Sequence, residues 1–333
     1  MFKWGMGKNE GELIKYPKIK HLKMFVDSIY SREDHLHNDF ELFIVLKNNG
    51  IAKIYGKTIE IKEGDVVLVN SGEVHSYQAF IAKNKPFIPS STSFKPPLLL
   101  CIQFSTLFIR DYFPQIRTTV FNSGKLSDYI PNEILNEIRN ILFDAAINYF
   151  SEKEYFALKV VSDLTLVLCY LYQYVNHEII SESQKQKLKM KIARLERIIS
   201  YIDKNYDNQI RLQELADMEN LSITHFSHLF SSTFGVTFQE FINLKRTEHC
   251  LKLMKKREKT LLEISYEAGF SDPKYMNKMI NKLYGCSPKE YRKSLLEVKD
   301  QYLFDFDFGD NRFNDIQSMQ AVIEAKELVN TSY

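Results

Sequence analysis

The chain has 333 residues, 44% of them hydrophobic and 26% charged, with only 12 glycines and 9 prolines; this balance excludes a disordered or collagen-like chain and fits two or three globular domains. Its 44 basic and 42 acidic side chains leave a net charge of +2, which excludes a uniformly basic nucleic-acid binder but not one whose charge is concentrated in a segment. Cys101, Cys169, Cys250 and Cys286 form no CxxC pair, Met1 to Lys20 has no apolar signal core, and the apolar run Leu164 to Tyr174 falls short of the roughly 18–20 residues that span a bilayer, so a soluble, cytoplasmic chain with free thiols and no membrane contact is expected.

In chain order, residues 37 to 104 carry short apolar runs. Phe40 to Leu46 is dense; Ile51 to Tyr55 and Thr58 to Lys62 roughly alternate and meet at Gly56-Lys57, a tight-turn signal. Gly64-Asp65 opens Val66 to Val69, and two prolines precede Leu98 to Phe104. Such strands predict an antiparallel sandwich or barrel. From Pro131 the period becomes helical: Ile134, Ile138, Ile141 and Ala145 mark one amphipathic helix, with Pro131 in its first turn, and Leu158, Val161, Leu164, Leu168, Leu171 and Val175 mark a second. The polar, lysine-rich stretch from Asn176 to Lys191 is the best linker candidate, its later part being compatible with the start of a helix. Beyond it lie short helices: Ile192 to Lys204, Arg211 to Met218, Ile223 to Phe234, Thr237 to Lys256, Leu261 to Ala268, Pro273 to Leu283 and Pro288 to Lys299, punctuated by Gly235, Gly269 and Gly285.

This helical half repeats a pattern. Leu212 to Met218, Ser222, His225-Phe-Ser-His-Leu-Phe and Gly235 are matched by Leu262 to Phe270, Ser271, Tyr275-Met-Asn-Lys-Met-Ile and Gly285. Each copy is a short helix, a tight turn and a second helix stopped by glycine, the layout of a helix-turn-helix. Charge follows the same division. Residues 1–180 hold 20 basic and 20 acidic side chains, residues 181–300 hold 22 and 16, and residues 301–333 hold 2 and 6. The duplicated region is therefore basic, as phosphate binding requires.

Residues from about 190 to 298 resemble the DNA-binding domain of the AraC/XylS transcription regulators. The resemblance rests on Leu215-Ala216, Leu221-Ser222, Phe226, Leu229-Phe230, Phe234-Gly235, Phe238, Phe241-Ile242 and Arg246. It continues with Ile264, Gly269-Phe270, Tyr275, Gly285, Ser287-Pro288 and Tyr291-Arg292. Ser265 stands where alanine is usual, and Met276 and Ile280 where phenylalanine is usual. The resemblance implies two recognition helices entering successive major-groove segments. The positions that face the bases are then Thr224, Ser227, His228 and Ser231 in the first helix and Lys274, Asn277 and Lys278, beside Pro273, in the second. Lysine can donate to guanine, asparagine can pair bidentately with adenine, and serine or threonine suits bases or phosphates. Each of these residues is alternatively a solvated side chain with no base contact. Arg246, Arg292 and Lys293 would brace the domain or touch phosphates.

The N-terminal strands resemble the family's usual partner, a cupin-type sensor, through His35-Leu-His37-Asn-Asp-Phe-Glu41, Gly64-Asp65 and Gly72-Glu-Val-His75. In cupin enzymes the matching positions, His35, His37, Glu41 and His75, would be metal ligands. Two histidines one residue apart on a strand share a face, and these donors suit Fe, Mn, Zn or Ni. The set reads equally as the lining of a metal-free effector pocket, joined by Tyr55 and Tyr77, or as structural polar residues; no cofactor is expected. Phe40, Phe43 and Phe104 are further pocket or core candidates.

The resulting expectation is an α+β chain: a cupin-like antiparallel β-barrel or sandwich at 1–125, a helical dimerisation region at 126–180, a linker at 181–191, and an all-α double helix-turn-helix domain at 192–300. An acidic extension at 301–333, of no assigned role, completes it. Its Ile316, Met319, Ile323 and Leu328 suggest a small amphipathic helix, and its charge could compete for the basic domain. Asp305 to Asn311 only superficially resembles a calcium loop. The function implied is a non-enzymatic regulator, more commonly an activator. It would bind promoter DNA as a homodimer through the stripe Leu158, Val161, Leu164, Leu168 and Leu171, contact RNA polymerase and respond to a small effector, by default a sugar. The rival is a cupin metalloenzyme fused to a helical domain. No phosphate-binding glycine loop, GxSxG or Cys–His signature supports other chemistry.

Overall fold

The computed structural model describes residues 14–29, 31–79, 96–254, 258–297 and 312–331. Eleven strands are described: β1 (Leu22–Ser28), β2 (Ser31–His35), β3 (Asp39–Lys47), β4 (Gly50–Ile54), β5 (Lys57–Ile61), β6 (Val66–Val69), β7 (His75–Ala79), β8 (Leu98–Ser105), β9 (Thr119–Phe121), β10 (Gly124–Lys125) and β11 (His177–Ile179). Nine of them form two antiparallel sheets, β1-β8-β3-β6-β10 and β2-β7-β4-β5, and β9 pairs with β11. Of the two expected arrangements the sandwich is the one formed: among the described residues the sheets stay separate and close no barrel.

The larger sheet is covered on both faces. Phe25, Phe43, Val45, Val67, Val69, Leu99 and Cys101 face the smaller sheet's Ala52, Ile54, Ile61 and Tyr77. The alternate residues, among them Leu22, Met24, Phe40, Leu42, Ile44, Leu100, Ile102 and Phe104, pack against helices. Two-sided burial explains why Phe40 to Leu46 reads as a continuous apolar run. It also corrects the aromatic candidates. Phe40 and Phe104 stack on each other at 5.4 Å on the helix side, away from the space between the sheets.

The helices on that face are α1 (Asn132–Ser151) and α2 (Phe156–Tyr174), and Pro131 caps α1 rather than entering its first turn. Val160, Leu164, Val167, Leu168 and Leu171 of α2 are buried inside the chain. Most of the stripe expected to form a dimer seam is thus buried within the chain's own core, and Leu158, at 72% exposure, and Leu166 point outward instead. The apolar segment is also longer than its sequence core suggested: α2, with 19 residues, is the one described helix long and apolar enough to cross a membrane.

The segment expected to be a linker, 181–191, is helical. Helix α3 (Glu182–Asn205) runs through it as one element. Ser181 Oγ accepts from the Gln184 amide at 3.2 Å and Gln184 Oε1 from the Ser181 amide at 2.8 Å, a capping box that starts the helix. Lys, Gln and Leu then continue it, being good helix formers. Next come α4 (Leu212–Met218), α5 (Ile223–Phe234), α6 (Phe238–Met254), α7 (Leu261–Glu267), α8 (Pro273–Tyr284) and α9 (Pro288–Glu297). The final helix, α10 (Asp315–Thr331), docks on the sandwich beside α1 with Val322 and Ala325 buried. Lys47–Glu324 and Lys326–Asp144 ion pairs hold it at 2.8 and 2.5 Å. The acidic stretch Asp305 to Asn311, with the calcium-loop likeness, lies outside the described residues.

Candidate functional site

Two places in the fold concentrate polar chemistry. The first is at one end of the layer between the sheets. Glu41 on β3 and Gln103 on β8 are register partners and continue the inward-facing series Phe43, Val45 and Leu99, Cys101. Both are fully buried, as are His37 and His75, while β2 pairs with β7 so that His35 lies opposite His75.

Glu41 is the hub. Tyr77 donates its hydroxyl to Glu41 Oε1 at 2.5 Å, Gln103 donates to Oε2 at 2.7 Å, and His37 Nε2 lies 3.1 Å from Oε2. His75 Nε2 is 3.9 Å from Oε1. Burial alone would raise the Glu41 pKa, but the His37 hydrogen bond and the nearby His75 and Arg32 hold it well below the ordinary carboxylate range. Burial pushes His35 well below the ordinary imidazole value and His75 down to about 4, so both rings are neutral near pH 7.

Each imidazole is fixed from behind. Nδ1 of His35, His37 and His75 lies 2.8, 3.0 and 2.9 Å from the carbonyls of Glu33, Asp39 and Glu73. The three rings converge, with one ring nitrogen of each within 4.8 Å of the others. His35, His37, Glu41, His75 and Tyr77 are therefore brought together as their sequence pattern suggested, and they are the residues able to hold a metal ion or a small polar ligand. Tyr55 is not among them. It sits at the β4–β5 turn, its hydroxyl accepting from Lys191 of α3 and its ring 4.6 Å from that ammonium. Gln103 was not singled out from sequence, though it is the one uncharged polar side chain in the run Leu98 to Phe104.

The second place is the pair of helix-turn-helix units. In the first, Leu215, Ala216, Phe226, Phe230, Phe234, Phe241 and Ile242 pack on Ile192, Leu195, Ile198, Ile199 and Ile202 of α3. Buried Glu219 accepts from Arg197 at 2.6 and 2.9 Å and from Arg194 at 3.3 Å, which locks α4 to α3. The second unit packs Cys250, Leu251, Ile264, Ala268, Phe270, Met276, Ile280 and Tyr291 together, so Met276 and Ile280 fill the space usually taken by phenylalanine. Arg246 braces the join, donating to the Tyr206 and Asn208 carbonyls at 2.7 and 2.8 Å.

Helix α5 starts at Ser222, whose hydroxyl accepts from the His225 amide, and α8 starts at Asp272, whose carboxylate accepts from the Lys274 amide. Both end at glycine. These caps leave Thr224, Ser227 and His228 exposed on α5 and Lys274, Asn277 and Lys278 exposed on α8. Ser231 is half-buried and its hydroxyl donates to the Ser227 carbonyl at 2.9 Å. Lys274 is partly neutralised by Asp272 at 3.0 Å and lies over the Tyr275 ring. Exposed His225 and Tyr275 border the same faces and were not among the base-facing positions read from sequence.

Comparison with known proteins matches the same two halves. A model of the AraC-like ligand-binding domain matches residues 27–84, and a helix-turn-helix domain model matches residues 215–294. The chain is 20% identical over 269 residues to the HTH-type transcriptional activator RhaR of Mannheimia succiniciproducens, covering 79% of this chain and 88% of that one. It is 22% identical over 245 residues to an uncharacterized HTH-type transcriptional regulator of Staphylococcus aureus strain MRSA252, covering 73% of this chain and 30% of that protein. The chain thus spans about a third of the length of such staphylococcal relatives. Among solved structures, ToxT from Vibrio cholerae O395 is 17% identical with a TM-score of 0.37, covering 84% of this chain and 100% of that one.

Proposed function

We propose that the chain is a transcriptional regulator of the AraC type that binds promoter DNA through α5 and α8 in response to a small molecule held in its N-terminal domain, a reading supported by its matches to the AraC-like ligand-binding and helix-turn-helix domain models. The observation that carries this reading is the pair of capped helices, α5 and α8, with exposed N-terminal faces in the segment of highest positive charge. Thr224, Ser227, His228 and Ser231 contact one groove segment; Lys274, Asn277 and Lys278 contact the next. Asn277 and Lys278 supply most of the base preference, because Lys274 already shares its charge with Asp272.

The effector site is the His35, His37, Glu41, His75, Tyr77 and Gln103 cluster, and a polar ligand of sugar type suits its donors and acceptors. The working division is a cupin-like sensor at 1–125, a helical pair at 126–180, the DNA-binding domain at 192–300 and an extension at 301–333, with α3 as the spacer in place of a linker. The protein acts in the cytoplasm as an activator that contacts RNA polymerase. Homodimers form on the outward face of α2, where Leu158 and Leu166 are exposed.

The test is selection of duplexes from a random-sequence library by the full chain, followed by gel shifts on the winners. Affinity should fall steeply with salt, because phosphate contacts release counterions. Asn277→Ala and Lys278→Ala should each weaken discrimination at one base position by roughly 1–3 kcal/mol. A library from which no sequence is enriched would sink the reading.

A further inference from the structure

We propose that the C-terminal extension is a strap of the sensor domain, and that by docking α10 on the sandwich it ties the DNA-binding domain to the sensor at both of its ends. The first support is the build of α10 itself. Asn314 Oδ1 accepts from the Gln317 amide at 3.0 Å and Gln317 Oε1 accepts from the Asn314 amide at 3.2 Å, a capping box that starts the helix. Met319, Val322, Ala325 and Val329, three or four residues apart, then form one apolar stripe packed into the core of the larger sheet and its helices. The ion pairs Lys47–Glu324, Lys326–Asp144 and Lys18–Asp315, the last at 2.9 Å, add charged contacts to that docking.

The second support is the way the chain reaches α10. Strand β1 is an outer strand of the five-stranded sheet, and such an edge offers backbone groups to any strand that comes alongside. Phe313 donates its amide to the Val26 carbonyl at 2.9 Å, and Arg312 forms a β-bridge with Asp27. The Arg312 guanidinium lies over the Phe25 ring, 4.4 Å from its centroid, in cation–π geometry. The extension therefore meets the sandwich twice, first along the edge of β1 and then through the buried stripe of α10.

Connectivity turns these contacts into a second tether. At its entry the DNA-binding domain leaves the sandwich through α3, where Lys191 meets Tyr55 and Ile192 packs so closely on Gly72 that a Cβ there would fall 2.1 Å from its Cδ1. At its exit α9 ends at Glu297, and residues 298–311 join it to Arg312 on β1. That length of chain spans at most about 50 Å. The DNA-binding domain is thus an insertion in the sensor's chain and not a tail on it. A second tether removes freedom from the separated arrangement and so favours the docked one, in which Leu36 and Val74 of the sandwich pack with α3 and α5. In a DNA-binding regulator this limits how far the first helix-turn-helix moves from the sensor, a consequence that rests on the function proposed above.

The experiment uses the full chain with flexible Gly/Ser inserts of about 15, 30 and 60 residues placed after residue 305, and one variant with a site for a sequence-specific protease at the same point. Each variant keeps every docking residue of α10. Hydrogen exchange of backbone amides is read by mass spectrometry in peptides 33–37, 71–75 and 223–235, where the sandwich and the first helix-turn-helix meet, with peptide 98–105 of β8 as the internal reference. Interface exchange should rise with insert length and be highest after cleavage, about three-fold or more above the parent, because the effective concentration set by a tether falls as it lengthens. The β8 amides should not change. Interface exchange that is independent of insert length and of cleavage overturns the proposal. A rise shared equally by β8 does so as well, since it marks a loosened sandwich and not a released tether. The measurement needs no DNA: a chain that selects no duplex but shows the length dependence keeps the strap and loses the regulator reading, and the reverse result discards the strap alone.

Discussion

Ser265 shows how a single atom can matter in a well-packed unit. It lies in the second helix-turn-helix at 0% exposure, and its hydroxyl has no partner among the described residues. The AraC-type pattern usually has alanine there. Burying a hydroxyl without a hydrogen bond costs about 1–3 kcal/mol by mutational measures, so Ser265→Ala should stabilise the chain by about 1 kcal/mol in urea denaturation. A loss of stability would mean that the hydroxyl has a bonding role. At this scale the sequence was informative where chemistry and spacing coincide. His35, His37, Glu41 and His75 were picked out by their likeness to the cupin pattern, with Tyr77 as a strand aromatic, and they converge, although His37 lies in the β2–β3 connection and not on one strand with His35 as the parity argument assumed. Tyr55 failed because an aromatic beside a glycine turn is aimed by the turn, with Tyr55 itself at φ 46°, and not by strand alternation. Gln103 was overlooked because one polar residue in an apolar strand carries no motif.

Helices were read more accurately than strands because helix caps are written in the sequence. Ile223–Phe234 is bounded by Ser222 and Gly235, and both ends fall where the punctuation placed them. Strands β2 and β7, SREDH and HSYQA, carry almost no apolar signal, since their stability comes from pairing with distant partners. Helix α10 is the informative intermediate case. Its apolar pattern was visible, but its docking place was not. The described part of the extension sits on the sandwich, not on the basic helices it might have competed for. Val322 is fully buried there, whereas Ile316 is 76% exposed. Removing two methyl groups from a closed core costs about 2 kcal/mol once the cavity is included, so Val322→Ala should lower stability by about that amount. Ile316→Ala should change it by less than about 0.5 kcal/mol. Equal effects in a chemical denaturation series would show that α10 is not docked as described.

At the scale of the whole molecule, the sandwich and the first helix-turn-helix share a core. Leu36 and Val74, each next to a histidine of the cluster, pack with α3 and α5. Gly56 meets Gly235, the residue that ends α5, so closely that a Cβ on either would fall within 3.0 Å of the other's backbone. Lys245 of α6 is buried between Glu33 of β2 and Asp203 of α3, the latter at 2.9 Å. No local pattern announces such a pairing, because Glu33 and Lys245 are 212 positions apart and each reads as an ordinary surface charge. Glu248 completes the group by hydrogen-bonding to Glu33, with Lys252 also nearby. Burial would raise Glu33, but Lys245 and the Glu248 hydrogen bond lower it to about 2. Burial and the Glu33 charge push Glu248 well above 4.5, so the folded protein keeps its proton. Two opposite pH dependences follow. The Glu33 contribution is present above its unfolded value of 4.5 and is lost as pH falls toward about 2. The Glu248 contribution is complete below 4.5 and is lost as pH rises through its elevated folded value. Glu248→Gln retains a neutral donor to Glu33 without the titration. It should therefore melt at a higher temperature than the parent near pH 8, with the gap closing toward pH 4.5, while the acid limb set by Glu33 persists in both. Melting curves across this range that run parallel for parent and variant would show that Glu248 is ionised in the folded chain and that Lys245 alone holds the two domains' charges in balance.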